Sequence, residues 1–321
     1  DTANALIDRG AEVDKADNDG YTPLHFACLN GHTEAANALI ANNSERIEKV
    51  LRPTRGQGEL ISLSRCDDEI AEAEVVVHRF RTLEAANPEL SWGDMAVLYR
   101  TNAQSRALEE SLVRWGIPYL VVGGLRFYDR REIKDLLAYL RLLINPADTV
   151  SLLRVINVPK RGIGKTTIQR LTDAANQLGI PLWDVVSDPE AVRSLGGRSA
   201  KGLLQFCDLV NDLQARSREV APSELIQQVM EKSGYVSELI ADGTDEAEER
   251  RRNLQELVNA ALQYQEENEE GDLEGFLATA ALSSDADSKD TAADRVTLMT
   301  LHSSKGLEFP VVCLVGLEQG L

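Results

Sequence analysis

The hydrophobic rhythm of this chain changes twice along its length. Between residues 60 and 128, short apolar runs alternate with helical periods. Residues 60–63, 95–99 and 119–122 read as strands, the last stopped by Gly123-Gly124. Residues 67–83 carry Ile70, Val75, Val76 and Phe80 as the apolar positions of a helix, and residues 105–115 read as a second helix. Strand–helix–strand–helix–strand predicts a parallel sheet. From Arg131 to about Gly275 strand signals vanish. Helical periods dominate there, broken at Asn145-Pro146, Gly179-Ile180-Pro181, Gly196-Gly197 and Gly234. Residues 283–293 are polar and read as a flexible linker. Strand character returns at Val296, breaks at a polar turn from His302 to Gly306, and resumes as the apolar run 309–315. Two buried strands flanking that turn are expected. The pattern predicts a large all-helical segment inserted in an α/β unit, free to swing on hinges near Tyr128 and Ala293.

The first forty residues follow another rule. Thr22 can cap a helix whose first position is Pro23, and Gly31 can end it. Gly10 can end the helix before. The phrase Gly20-Tyr21-Thr22-Pro23-Leu24-His25-Phe26-Ala27, followed by Asn30-Gly31-His32, resembles one ankyrin repeat, with the tail of another ahead of it. About one and a half repeats are present, where roughly three must stack to bury a continuous core, so this fragment is expected to add little stability.

Composition changes the picture in two places. The 321 residues are 43% hydrophobic, enough for two or three small domains with their own cores. No apolar run has membrane-spanning length and no signal-like segment opens the chain, so a cytoplasmic protein without a membrane partner is expected. The formal charge of −18 argues against nucleic acid. Its distribution weakens that objection. Residues 242–274 hold twelve acids and three arginines, whereas residues 126–165 hold nine basic residues and four acids. A local basic stripe suits phosphate contacts. The four cysteines are scattered, with no CxxC pair, and the acidic run 266–274 lacks calcium-loop spacing, so no metal site is expected.

Four phrases, in order, carry a resemblance. They are Tyr99-Arg100-Thr101-Asn102-Ala103-Gln104-Ser105-Arg106; Gly123-Gly124-Leu125-Arg126-Phe127-Tyr128; Asn157-Val158-Pro159-Lys160-Arg161-Gly162-Ile163-Gly164; and Thr300-Leu301-His302-Ser303-Ser304-Lys305-Gly306-Leu307-Glu308-Phe309. Together they resemble the superfamily 1 DNA helicases of the UvrD/Rep/PcrA type, from about Ala35 onward. The last phrase looks like motif V of that family. The resemblance implies a RecA-like lobe at residues 41–128 and 294–321, the helical accessory domain at 129–293, and an ankyrin fragment at 1–40. It implies DNA-facing roles for Arg100, Asn102, Arg106, His302 and Ser303. The turn Lys160, Arg161, Gly162, Ile163, Gly164 and Lys165 would approach duplex backbone. Glu308, with Lys305 and Gly306, would lie at the nucleotide side.

The turn at 159–166 invites one misreading. Gly164-Lys165-Thr166 copies the end of a Walker A loop, but Pro159 stands where that loop's first glycine belongs and no strand precedes it. Two glycines at a helix start instead let main-chain N–H groups approach a phosphate. The Walker A loop and paired Asp-Glu that the family draws on for ATP and Mg²⁺ are not in this sequence, so no catalytic residue is assigned. The expectation is a DNA-binding part of an ATP-dependent 3′-to-5′ helicase acting in repair or replication, associated with the nucleoid. This chain alone should neither hydrolyse ATP nor hold ATP or Mg²⁺ tightly. Its expected partners are DNA, an ATPase half supplied in trans, or an ankyrin-binding protein. The alternative is an ankyrin-tethered interaction or regulatory module with no motor activity.

Overall fold

A computed structural model describes residues 60–268, 271–285 and 294–318. The ankyrin-like stretch and the start of the helicase-like one lie outside the described residues. Two compact units divide the chain. The described part of the smaller unit is residues 60–72 with 316–318. There the Gly316 N–H donates to the Glu72 carboxylate at 3.1 Å, and burial holds that carboxyl above its usual range.

The larger unit, Ala73–Val315, contains a four-stranded sheet. Strands β1 (Met95–Tyr99), β2 (Tyr119–Val122), β3 (Val296–Thr300) and β4 (Val311–Leu314) are all parallel, in the order β2-β3-β1-β4. Strand β3, from the far end of the sequence, lies between β1 and β2. Parallel neighbours need crossover connections, and helices make them. Helix α1 (Glu69–Ala86) buries Ala73, Val76, Val77 and Phe80, and helix α2 (Ser105–Arg114) buries Ala107, Leu108 and Leu112. These side chains meet Met95, Val97, Tyr99, Val296 and Leu298 in one apolar cluster.

Between β2 and β3 the described chain is helical. The elements are α3 (Arg131–Ile144), α4 (Thr149–Val155), α5 (Lys165–Leu178), α6 (Leu182–Ser187), α7 (Pro189–Leu195), α8 (Ala200–Arg216), α9 (Pro222–Lys232), α10 (Tyr235–Asp242), α11 (Asp245–Glu267) and α12 (Leu273–Asp285). Their apolar faces form a second cluster, from Phe127 to Ala280, around Leu136, Leu140, Phe206 and Leu257.

Three expectations need correction. Residues 60–63 are not a strand. Leu60, Ile61 and Leu63 are exposed, and no strand of the described sheet pairs with them. Apolar letters without a partner edge make no strand. The polar stretch expected to start at 283 is still helix through Asp285. Strand β4 is not fully buried. It is an edge strand paired to β1, with Val312 and Leu314 exposed on alternate positions.

The sheet and the helical bundle meet through buried polar groups as well as chain connections. The Glu109 carboxylate accepts from the Ser105 hydroxyl, the Tyr119 hydroxyl and the Phe127 N–H. Arg130 donates to the Asn253 side chain at 2.8 Å, the Asn102 carbonyl at 2.9 Å and the Ser105 hydroxyl at 2.7 Å, with Glu109 3.9 Å away. Asn253 donates in turn to Glu132. Arg106 on α2 pairs with Glu110 at 2.9 Å and with Glu256 on α11 at 3.1 Å. Buried ions of this kind persist only when well partnered, and they fix one geometry for the elements that share them.

Candidate nucleic-acid interface

In a parallel sheet the carboxyl ends of all strands share one edge, where α/β folds bind ligands. Three loops converge there. The β3–β4 loop starts with Leu301, whose N–H donates to the Tyr99 carbonyl at the end of β1. Ser303 hydrogen-bonds back to Thr300, through its N–H at 3.2 Å and its hydroxyl at 3.0 Å. Gly123, after β2, adopts a φ of 79°, and a Cβ there would lie 2.6 Å from the Ser303 hydroxyl oxygen. A Cβ on Gly124 would lie 3.3 Å from Asn102. The paired glycines thus let the loops after β1, β2 and β3 touch.

His302, Lys305, Gly306 and Glu308 are exposed on the β3–β4 loop. Gly306 has a φ of 87°, a left-handed conformation that favours glycine. Arg100 is exposed just past β1, and its guanidinium makes no ion pair among the described residues. Asn102 is more committed than expected. Its side-chain N–H donates to Glu249 on α11 at 2.6 Å, and its carbonyl serves Arg130. Arg106 is not at the surface at all. It is 1% exposed, drawn inward by Glu110, Glu256 and Gln263, so a DNA-facing role is corrected to a joint between sheet and bundle.

The second group sits between α4 and α5. The element before the Gly-Lys-Thr triplet is helix α4 and a turn, not a strand, as an ATP phosphate loop would need. Asn157 closes the turn by accepting from the N–H groups of Arg161 and Ile163 at 2.7 and 3.1 Å. Ile163 is buried, an anchor and not a contact. Gly162 has a φ of 71°, and neither it nor Gly164 has any atom within 4 Å of where a Cβ would stand. Gly164 caps the 14-residue helix α5, whose first N–H groups have no acceptor within the helix. Lys160 and Lys165 are exposed beside it.

Arg161 departs from expectation. Its guanidinium donates to the carbonyls of Val155, Val158, Pro159 and Ser233 and to the Tyr139 hydroxyl, and stacks 5.2 Å over Phe206. It staples the turn from inside, so it is corrected from a phosphate cation to a structural one. Much of the basic stripe is likewise spent: Lys134 pairs with Asp129, and Arg131 and Arg154 with Asp135. Lys134 and Arg154, two of the three cations lining the nearby cavity, are committed in this way.

Replacing Gly164 with alanine should leave the fold intact, because the Cβ meets nothing, yet weaken duplex binding by blocking close approach. Unfolding curves and duplex titration of the Gly164→Ala variant check this, and unaltered affinity would remove Gly164 from the contact surface.

Sequence reasoning missed Ser199 and Gly202, which pack on this turn from α8. A lone glycine inside a helical period was the available signal. Among the described residues no cluster of three His, Cys, Asp or Glu could hold a metal, and no helix is long and apolar enough to cross a membrane.

Residues 32–321 match the UvrD-like helicase C-terminal domain, and residues 1–40 match ankyrin repeats. The two matches overlap at 32–40. The chain is 39% identical over 294 residues to an ATP-dependent DNA helicase PcrA of Leuconostoc citreum, covering 90% of this chain and 39% of that protein. It is 38% identical over 293 residues to the PcrA of Bacillus subtilis (strain 168), and 40% identical over 289 residues to that of Staphylococcus aureus, covering 89% of this chain and 39% of the relative each time. The chain therefore spans about two-fifths of the length of these relatives. It belongs to the UvrD-like helicase C-terminal domain family, with an ankyrin-type sequence at its N-terminal side.

Proposed function

We propose that this chain is the DNA-gripping portion of a PcrA-like, ATP-dependent 3′-to-5′ DNA helicase of the cytoplasm, acting on single strand and duplex junction in repair or replication. The observation that carries this reading is the meeting of the loops after β1, β2 and β3 at one edge of a parallel sheet, with Arg100 and His302 exposed upon it. In this reading residues 41–128 and 294–321 form the second RecA-like domain, and 129–293 form the helical accessory domain. Arg100, His302 and the main chain around Ser303 hold the single strand by phosphate and backbone contacts. The Gly162–Lys165 turn holds duplex backbone. Glu308, Lys305 and Gly306 face a nucleotide whose β- and γ-phosphates and Mg²⁺ are held by groups of the other RecA-like domain.

The ionic joint at Arg106 and Arg130 gives the accessory domain a defined seat against the sheet, so any swing must break or exchange those pairs. An ankyrin-tethered regulatory role draws on residues 1–40 alone and leaves the loop convergence without a purpose.

The test is single-strand titration at low salt. Arg100→Ala and His302→Ala should each weaken single-strand binding and spare duplex binding, and Arg100→Ala should flatten the salt slope by about one unit. Unchanged single-strand affinity in both variants would overturn the assignment of this edge. With ATP, the purified chain should release no phosphate on addition of DNA, because no Walker A cradle is present in its sequence. Turnover abolished by Lys165→Ala would refute that and revive the Walker reading of the turn.

A further inference from the structure

We propose that Ser199 and Gly202 are positioning residues, which aim the main chain of the Gly162–Lys165 turn at duplex phosphate. The inference rests on the duplex-binding role of that turn and extends it to a helix more than thirty residues on in sequence.

Gly202 lies in the first turn of α8, and a Cβ there would stand 2.2 Å from the Arg161 carbonyl oxygen and 3.3 Å from its carbon. Both are main-chain atoms, so nothing flexible can yield. Only glycine lets that carbonyl seat against α8. Ser199, just before α8, donates from its hydroxyl to the Gly162 carbonyl at 2.8 Å and accepts from the Thr167 hydroxyl of α5 at 3.3 Å. Two successive carbonyls of the turn therefore lie against the start of α8, that of Gly162 by a hydrogen bond from Ser199 and that of Arg161 by close contact with Gly202.

Peptide planarity turns this into aim. In a trans peptide the N–H points opposite to the C=O. The Arg161–Gly162 bond is trans, so a carbonyl seated on Gly202 sends the Gly162 N–H away from α8. Gly162 is exposed and the space at its Cβ position is empty. The next N–H, that of Ile163, is taken by Asn157. One outward donor at Gly162 is thus presented beside Gly164 and the start of α5, where helix geometry leaves further donors open. Lys160 and Lys165 flank them. Without the seat on α8, the glycines would leave this backbone free to sample other conformations, and the donors would be ordered only on binding.

The experiment compares Ser199→Ala, Ser199→Thr and Gly202→Ala with the parent chain, measuring duplex and single-strand affinity at two salt concentrations and well below each melting midpoint. Ser199→Ala should lower duplex affinity by about fivefold, the scale of one ordinary hydrogen bond. Ser199→Thr, which keeps a hydroxyl, should restore it, and single-strand affinity should stay unchanged throughout. Gly202→Ala should lose more duplex affinity. If it fails to fold, the Ser199 pair still decides. Full duplex affinity in Ser199→Ala, or equal losses on both DNA forms, would overturn the positioning role. Lys160→Ala/Lys165→Ala serves as the reference variant. Its loss of duplex binding alongside an unaffected Ser199→Ala would refute only the positioning inference, while no loss in it would refute the duplex role itself.

Discussion

Replacing Arg130 with alanine is expected to cost about 3–5 kcal/mol of stability, the scale for removing one partner of a buried ion pair. The side chain is 6% exposed and its donors serve Asn253, the Asn102 carbonyl and the Ser105 hydroxyl. Truncation takes a donor from the Asn253 side-chain oxygen and the Ser105 hydroxyl, leaves the Asn102 carbonyl with the Ser105 N–H alone, and leaves Glu109 without its nearest cation. The loss should also depend on pH. Burial pushes the Glu109 carboxyl above the usual carboxylate range, while the Ser105 hydroxyl and the Arg130 charge pull it back. Removing Arg130 lets burial act with less opposition, so the carboxyl rises further. A group with a raised folded-state pKa binds its proton more tightly folded than unfolded, so its contribution grows as pH falls through that pKa and is lost as pH rises. Protonated Glu109 needs no counter-cation. The deficit of Arg130→Ala against the parent should therefore be largest at neutral pH and shrink as pH falls towards the raised carboxyl value. Urea unfolding of both chains across that range is the measurement. A deficit that does not vary with pH would show that Glu109 is not the orphaned partner, and no deficit would remove Arg130 from the joint.

This joint was not legible in the sequence. Arg130 and Asn253 are 123 positions apart, and Arg106 and Glu256 are 150 apart. Each sits in a helical period or its flank, where a charged residue ordinarily means a solvated face. Only the tertiary crossing of α2, α3 and α11 makes them interior. What could be read were features carried by local periodicity. Strands β1 and β3 showed as apolar runs because the central strands of a parallel sheet are covered on both faces, and the edge strand β2 showed the same letters although only Tyr119 of it is fully buried. Residues 60–63 showed the same letters and formed no strand, since pairing depends on a neighbouring edge that a local pattern does not contain. The glycines at 123 and 124 were legible as the end of a strand, and those at 162 and 164 as positions where main chain could come close to a phosphate. Arg161 was not legible as a staple: its letter reads the same whether it faces a phosphate or five oxygens of its own domain.

That distinction decides which lysines to change in the most direct functional test. Lys160→Ala/Lys165→Ala removes two exposed cations beside the turn and leaves the staple in place. Each phosphate contact contributes close to one unit of salt slope on duplex DNA, so the variant should be shallower by about two units. Between ~50 and ~200 mM salt, a fourfold change, each lost contact is worth about threefold, so the variant should lose about tenfold less affinity than the parent over that interval. Sequence preference should not change, because phosphates carry no sequence information. Single-strand affinity should hold, since that surface is assigned to Arg100 and His302. The net charge of −18 repels DNA, so both chains should bind best where ionic strength is low and local contacts are least screened. Arg161→Ala separates the two kinds of cation. It should lower the unfolding midpoint by removing the guanidinium from the Pro159 and Ser233 carbonyls and the Tyr139 hydroxyl, while the Val155 and Val158 carbonyls keep the Tyr139 hydroxyl as donor, and weaken duplex binding only as the turn loosens. If the lysine variant binds duplex with the parent's affinity and salt slope, the turn is a structural corner and the duplex path must run elsewhere on the bundle.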